Sequence, residues 1–208
     1  MYKVKEVYYT LQGEGFHTGR PAVFCRFSGC NLWTGREVDR ENAICKFCDT
    51  NFWGTDGQNG GKYTAGKLSS KIQELWPSKS INPFIVCTGG EPALQMNKHL
   101  IDEFHKSGFE IAIETNGTVG LPEGIDWICV SPKADTNIVI RSGDELKLVY
   151  PQPENNPTNF INMDFKHFYL QPLDNENHFS NIKSTIEYCL KNPLWKLSSQ
   201  THKYLGID

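Results

Sequence analysis

Cys45-Lys46-Phe47-Cys48 sets two thiols two residues apart, a spacing that lets one turn of backbone aim both sulfurs at one metal centre. Cys30 lies upstream, just past Ser28-Gly29, where an apolar run ends. Thiolates are soft ligands, so the occupants that suit them are zinc or an iron-sulfur cluster. Adding Cys25 would draw a four-thiolate zinc site. Against this, the period of two in Val23-Phe24-Cys25-Arg26-Phe27 groups Cys25 with Val23 and Phe27 on a packed face, while Cys30 sits in the loop beyond Gly29. Cys25 is therefore expected in the core, leaving Cys30, Cys45 and Cys48 as cluster ligands. A cubane cluster with three protein ligands keeps one iron open for a substrate or cofactor. Cys87 and Cys129 lie inside apolar runs and Cys189 on the apolar face of a late helix, so all three are expected as buried small hydrophobes.

Positioning such a centre requires a scaffold, and one pattern recurs along the chain. Short apolar runs stop at polar, glycine-rich clusters: 22–27 at Ser28-Gly29-Cys30, 84–87 at Thr88-Gly89-Gly90-Glu91, and 111–113 at Glu114-Thr115-Asn116-Gly117. Residues 127–130 stop at Ser131-Pro132-Lys133, 146–150 at Pro151, and 168–170 at Gln171-Pro172-Leu173-Asp174. Helical spacing lies between several of them, in Leu68, Ile72 and Leu75, in Leu94, Ile101 and Phe104, and in Ile182, Ile186 and Cys189. Strand-helix alternation predicts a parallel sheet with covered faces. If the sheet curls, polar strand ends converge on one mouth, and six or seven strands are too few to close an eight-unit barrel. The expected fold is thus α/β, an incomplete (partial) TIM-like barrel with parallel strands, built as one domain over residues 1–208.

The composition excludes several function classes. A 38% hydrophobic chain with twelve Phe, eight Tyr and five Trp is an ordered globular protein, and a net charge of -3 gives no footprint for a nucleic-acid backbone. No apolar stretch reaches the ~20 residues of a membrane helix and none of signal-peptide type follows Met1, so a cytoplasmic protein acting on a small molecule is expected. Seven cysteines in that compartment point to metal binding, catalysis or packing before disulfides.

Three cysteines ending in a C-x2-C pair, followed by Thr88-Gly89-Gly90-Glu91-Pro92 at a strand end, resemble the radical S-adenosylmethionine superfamily. The first spacing departs from that family's usual three residues, because residues 31–44 are inserted, with a short helix expected over 36–41. Further segments resemble one branch, the 7-carboxy-7-deazaguanine synthases of queuosine and deazapurine biosynthesis. They are Tyr9-Thr10-Leu11-Gln12-Gly13-Glu14-Gly15, Phe24-Cys25-Arg26-Phe27, Cys45-Lys46-Phe47-Cys48-Asp49-Thr50, Cys87 to Pro92, Glu114 to Gly117, Ser131-Pro132-Lys133 and Gln200-Thr201-His202-Lys203-Tyr204. Seven motifs in order span the chain from end to end.

The resemblance implies a carbon-nitrogen lyase that turns 6-carboxy-5,6,7,8-tetrahydropterin into 7-carboxy-7-deazaguanine with loss of ammonia. It implies a 4Fe-4S cluster, S-adenosylmethionine and Mg2+, a homodimer, and an electron donor such as flavodoxin. Carried onto this sequence, it places S-adenosylmethionine at Phe47, Cys48, Asp49 and Gly90, at Glu114, at Ser131, Pro132 and Lys133, and at Gln171, Pro172, Leu173 and Asp174. The pterin falls to Leu11, Gln12, Gly13, Glu14, Arg26, Thr88 and His202, with the terminal carboxylate of Asp208 folded over the site, and Thr50 is the magnesium ligand. The residues support parts of this independently. Arg26 alternates away from Cys25, so its fork faces the presumed mouth, where it suits a carboxylate or pairs with a structural acid. Gly89-Gly90 permits close approach of backbone to a ligand or makes a plain strand-to-helix turn. A zinc-stabilised binding module and a radical enzyme for another substrate are the competing functions.

Overall fold

The computed structural model describes residues 1–207; the Asp208 contact therefore lies outside the described residues. The chain opens with β1 (Tyr2–Leu11), β2 (Pro21–Phe27) and β3 (Gly61–Tyr63), then α1 (Ala65–Leu75) and β4 (Phe84–Gly89). It continues through α2 (Lys98–Lys106), β5 (Glu110–Thr115), β6 (Trp127–Val130), β7 (Ser142–Tyr150) and β8 (Asp164–Pro172), and ends in α3 (His178–Lys191), β9 (Trp195–Leu197) and α4 (Thr201–Leu205). The strands make one sheet ordered β3-β1-β2-β4-β5-β6-β7-β8-β9. From β2 to β9 every neighbouring pair is parallel, while β1 runs antiparallel to both β2 and β3. With β3 and β9 at its edges the sheet stays open, as an incomplete barrel requires.

Why these runs form strands is visible in their two faces. In β2, β4 and β5, Val23, Cys25, Phe27, Ile85, Cys87, Ile111 and Ile113 turn to one side and bury against Leu68 and Ile72 of α1 and Ile101 and Phe104 of α2. Complete burial of such a side chain contributes about 1.5–3 kcal/mol. The other face carries Phe24, Phe84, Val86 and Ala112, joined by Tyr8 and Trp127. Strands covered on both faces read as continuous apolar runs, and these do. A polar residue near the C-terminal end then continues the second face: Arg26, Thr88, Glu114, Lys147 and Gln171 all line the cavity.

Three details differ from the sequence expectation. Leu94 lies in a 3-10 turn and is 49% exposed, because Asn97 caps α2 by accepting from the Leu100 N–H and starts the helix at Lys98. On α3 the buried positions are Asn181 and Thr185, whose side chains bond to the Leu173 and Asn181 carbonyls; Ile186 is exposed and Cys189 only half-buried. The three-residue strands β3 and β9 were too short to leave a periodic signal. The expected helix over 36–41 exists as a 3-10 turn, Glu37–Asn42.

Candidate active site

The strand C-termini, the loop carrying Cys30, Cys45 and Cys48, and α4 enclose a cavity of about 430 Å³, within the size range of small-molecule sites. Its position outside the carboxyl ends of a parallel sheet is the usual one for ligands in open α/β folds.

All three loop cysteines line it, and each is a free thiol. Burial pushes all three above their ordinary pKa, and the neighbouring thiolates Cys48 and Cys30 add to the rise at Cys45. Cys25 turns the other way: it is fully buried, paired in register with Cys87 among apolar side chains, and burial pushes its thiol far up. It is therefore unavailable to the cavity, and the four-thiolate zinc site fails on geometry. Three soft donors at one mouth, with the fourth cysteine turned away, fit a cluster with an open iron. The insertion braces them. Trp33, Ala43 and Phe52 form an apolar base against Cys30 and Cys48. Arg40, stacked 4.0 Å over Trp33, donates to the Lys46 carbonyl at 2.7 Å and the Cys48 carbonyl at 3.1 Å.

Gly89 and Gly90 line the cavity, and they also let backbone approach closely. A Cβ on Gly89 would lie 2.2 Å from the Phe27 carbonyl, and one on Gly90 2.1 Å from the Gly29 carbonyl. The Gly90 and Glu91 amides donate to those same carbonyls, which fixes the Cys30 loop to β4. Glu91, fully buried, accepts from the Ala93 and Asn116 amides and from the Thr115 hydroxyl, so it ties this loop to the end of β5.

Opposite the cysteines lies a network of buried charge. Lys147 Nζ reaches Glu14 Oε2 at 2.6 Å and Glu114 Oε1 at 3.2 Å. Gln171 and Gln200 donate to Glu14 Oε1 at 3.1 and 3.2 Å, Gln12 donates to Glu114 Oε1 at 3.1 Å, and Thr88 to its Oε2 at 3.4 Å. Burial opposes the charge on Glu14, but the Lys147 ammonium outweighs it and holds the carboxyl below its ordinary range. Arg26 faces the cavity as alternation requires, with its Nε donating to Glu6 Oε1 at 2.7 Å and Nη2 to the Tyr8 hydroxyl at 3.0 Å. A structural acid thus takes one side of the fork. His202 lies so close over Gly13 that a Cβ there would fall 2.2 Å from its Nδ1, and the Thr201 amide donates to the Gly13 carbonyl.

Phe47, Asp49, Thr50, Leu11, Ser131, Lys133, Pro172, Leu173 and Asp174 also line the cavity. Pro132 does not: it is buried, and its carbonyl accepts from Asn155 Nδ2 at 3.2 Å, because Ser131 and Lys133 alternate outward on either side of it. Lys133 folds back to donate to the Ser131 carbonyl and hydroxyl at 2.6 and 2.9 Å. The carboxylates of Asp49 and Asp174 are both engaged by Lys203, at 2.8 and 2.5 Å, so α4 clasps two cavity loops. Sequence reasoning missed Lys147, Gln200 and Lys203. For Lys147 the signal was present, since its parity in β7 opposes that of Leu146 and Leu148.

No family model matches the chain. Relatives do. The 7-carboxy-7-deazaguanine synthase of Burkholderia multivorans is 55% identical over 207 residues, covering 99% of both chains. That of Bacteroides thetaiotaomicron is 38% identical over all of this chain and 99% of its own length. The crystal structure of QueE from Escherichia coli superposes with a TM-score of 0.72 at 25% identity, covering 97% of this chain and 94% of that one. Full-length identity at this level, on a fold whose cavity collects the three cysteines and the buried acid-base network, places the chain in the 7-carboxy-7-deazaguanine synthase family.

Proposed function

We propose that the chain, acting as one domain, converts 6-carboxy-5,6,7,8-tetrahydropterin to 7-carboxy-7-deazaguanine with release of ammonia. The observation that carries this is the meeting, in one cavity, of three soft thiol donors and a set of hard, hydrogen-bonding side chains. When bound, an iron-sulfur cluster held by Cys30, Cys45 and Cys48, together with S-adenosylmethionine, supplies one-electron chemistry that no side chain offers. The residues orient and shield. Phe47 and the strand ends at Gly90, Ser131, Lys133 and the 171–174 segment are the surfaces for S-adenosylmethionine, while Glu114, whose carboxylate accepts from Gln12 and Thr88, goes with the residues that face the heterocycle. Gln12, Glu14, Thr88 and His202 face a heterocycle edge, and Arg26 faces a carboxylate with the part of its fork that Glu6 leaves open.

Thr50, two residues past Cys48 and lining the same cavity, supports a magnesium site completed by substrate oxygens and water, since that ion favours hard ligands and retains waters. Among the described residues no three His, Cys, Asp or Glu side chains, the loop cysteines included, are drawn together as a single-ion site; the magnesium coordination proposed takes one protein oxygen, from Thr50. A homodimer finds support in an apolar stripe on α3, where Phe179, Ile186 and Leu190 are exposed at helical spacing beside the edge strand β9. Family membership supports a cytoplasmic enzyme fed by a donor such as flavodoxin, and among the described residues no helix is long and apolar enough to cross a membrane.

The test is anaerobic turnover of the reconstituted protein with S-adenosylmethionine, a reductant and the carboxylated tetrahydropterin. Equimolar ammonia and 7-carboxy-7-deazaguanine, with S-adenosylmethionine regenerated, is the expected result. Cleavage of S-adenosylmethionine without that product would assign the site to another substrate.

A further inference from the structure

Leu146 and Leu148 of β7 enter the core behind the sheet, so Lys147 between them projects into the cavity, where it is 4% exposed. A buried ammonium is costly unless it is paired. Its two partners arrive from distant parts of the chain, Glu14 from the β1–β2 connection and Glu114 from β5. Those carboxylates also line the cavity: Glu14 is held on its other oxygen by Gln171 and Gln200, and Glu114 by Gln12 on the oxygen that Lys147 reaches and by Thr88 on the other.

We infer that Lys147 is a positioning residue, fixing Glu14 and Glu114 as a rigid pair of acceptors for the N–H edge of the substrate heterocycle. This rests on the function proposed above and adds a residue to it. The physical reason is charge. Two carboxylates sharing a partly dry cavity repel, and one of them takes a proton unless a cation lies between. A protonated acid is a donor as well as an acceptor, so it would meet the N–H groups of an aminopyrimidinone with the wrong hydrogen-bonding sense. The groups facing this centre are Glu14, Glu114, Glu145 and Cys129, with His202 beyond Glu14. Only Lys147 among them places a permanent positive charge against both acids.

The experiment is anaerobic calorimetry without reductant, titrating 6-carboxy-5,6,7,8-tetrahydropterin and, separately, S-adenosylmethionine into the cluster-loaded unaltered protein, Lys147→Met and Lys147→Arg. Lys147→Met should weaken pterin binding by about 100-fold or more, leave S-adenosylmethionine binding within about 3-fold, and make pterin affinity rise with pH between about 5 and 8. Lys147→Arg should recover at least about 10-fold of the loss. Equal loss of both ligands, or unchanged pterin binding in Lys147→Met, overturns the inference. Should that variant fail to fold, Lys147→Gln, which keeps a hydrogen-bond donor but no charge, takes its place under the same criteria: selective loss of pterin binding agrees with the role, and pterin binding as in the unaltered protein refutes it. Unaltered protein that binds S-adenosylmethionine but no pterin would overturn the proposed substrate and this role together; pterin binding indifferent to Lys147 would overturn only the role.

Discussion

The two walls of the cavity are built differently. One is loop: Cys30, Cys45 and Cys48 project from irregular backbone braced by an inserted segment, and their sulfurs take few hydrogen bonds, a Leu32 amide at 3.4 Å on Cys30 among them. The other is strand: Arg26, Thr88, Glu114, Lys147 and Gln171 stand on parallel strands of one sheet and are held by side-chain bonds, Arg26 by Glu6 and the others through Glu14 and Glu114. Sites carried on strands hold geometry more tightly than sites on loops. The loop wall therefore depends on what it binds, since a metal fixes its ligands and releases their protons, whereas the strand wall is organised by the fold itself.

The largest effect should come from breaking the loop wall. Alanine at Cys30, Cys45 or Cys48 should abolish iron retention and turnover, while Cys25→Ala keeps the cluster and costs on the order of 1 kcal/mol of stability from lost packing. Iron analysis and thermal unfolding separate the two outcomes, and iron loss confined to Cys25→Ala would reverse the assignment. Next is Thr50→Val, which keeps the branched shape but removes the hydroxyl. Turnover should fall on the order of 100-fold and lose its response to magnesium, with iron content intact; a variant that still responds places the metal elsewhere. Arg26→Lys keeps charge but loses the planar fork and the Glu6 contact, so pterin affinity should drop about 10-fold with S-adenosylmethionine affinity unchanged. Parallel loss of both would make Arg26 structural.

The smallest effect belongs to the α4 clasp that joins the walls. Burial opposes the charge on Asp49, but Lys203 outweighs it and holds that carboxyl below its ordinary value; the Lys203 ammonium, despite burial, is held above its own by Asp174 and Asp49. A depressed acid contributes stability above its unfolded pKa of about 3.9 and loses it as pH falls through the folded value. A raised lysine contributes fully below about 10.4 and loses it as pH climbs through its folded value. The clasp should therefore be flat from about pH 5 to 10. These pairs are more than a third exposed, so Lys203→Gln should cost only about 0.2–1 kcal/mol, less at high salt. Thermal scans at pH 7 and pH 3, with and without salt, measure it, and an equal loss at both pH values would contradict the pairing.

The contrast also explains what was legible in the sequence. Strand positions were, because a period of two and a polar stop mark each parallel strand, and so was the convergence of Cys30, Cys45 and Cys48 on one cavity, because C-x2-C is a local spacing. Lys147 was overlooked because a lysine inside an apolar run reads as a solvated edge, and its partners lie 133 and 33 residues away. Gln200 precedes and Lys203 sits on a five-residue helix without a buried face, and their partners Glu14, Asp49 and Asp174 are remote in sequence. Pro132 lies off the cavity lining because alternation sends only the outer two residues of its motif there. Long-range polar pairing leaves no periodic trace.

Whether the strand wall is complete without the cluster is decided by pterin binding to iron-free protein. Calorimetry under anaerobic conditions with magnesium present should give an affinity for 6-carboxy-5,6,7,8-tetrahydropterin within about 10-fold of the cluster-loaded protein's, about 1.4 kcal/mol. Loss of pterin binding on removing the iron, in protein that keeps its fold, would contradict that completeness.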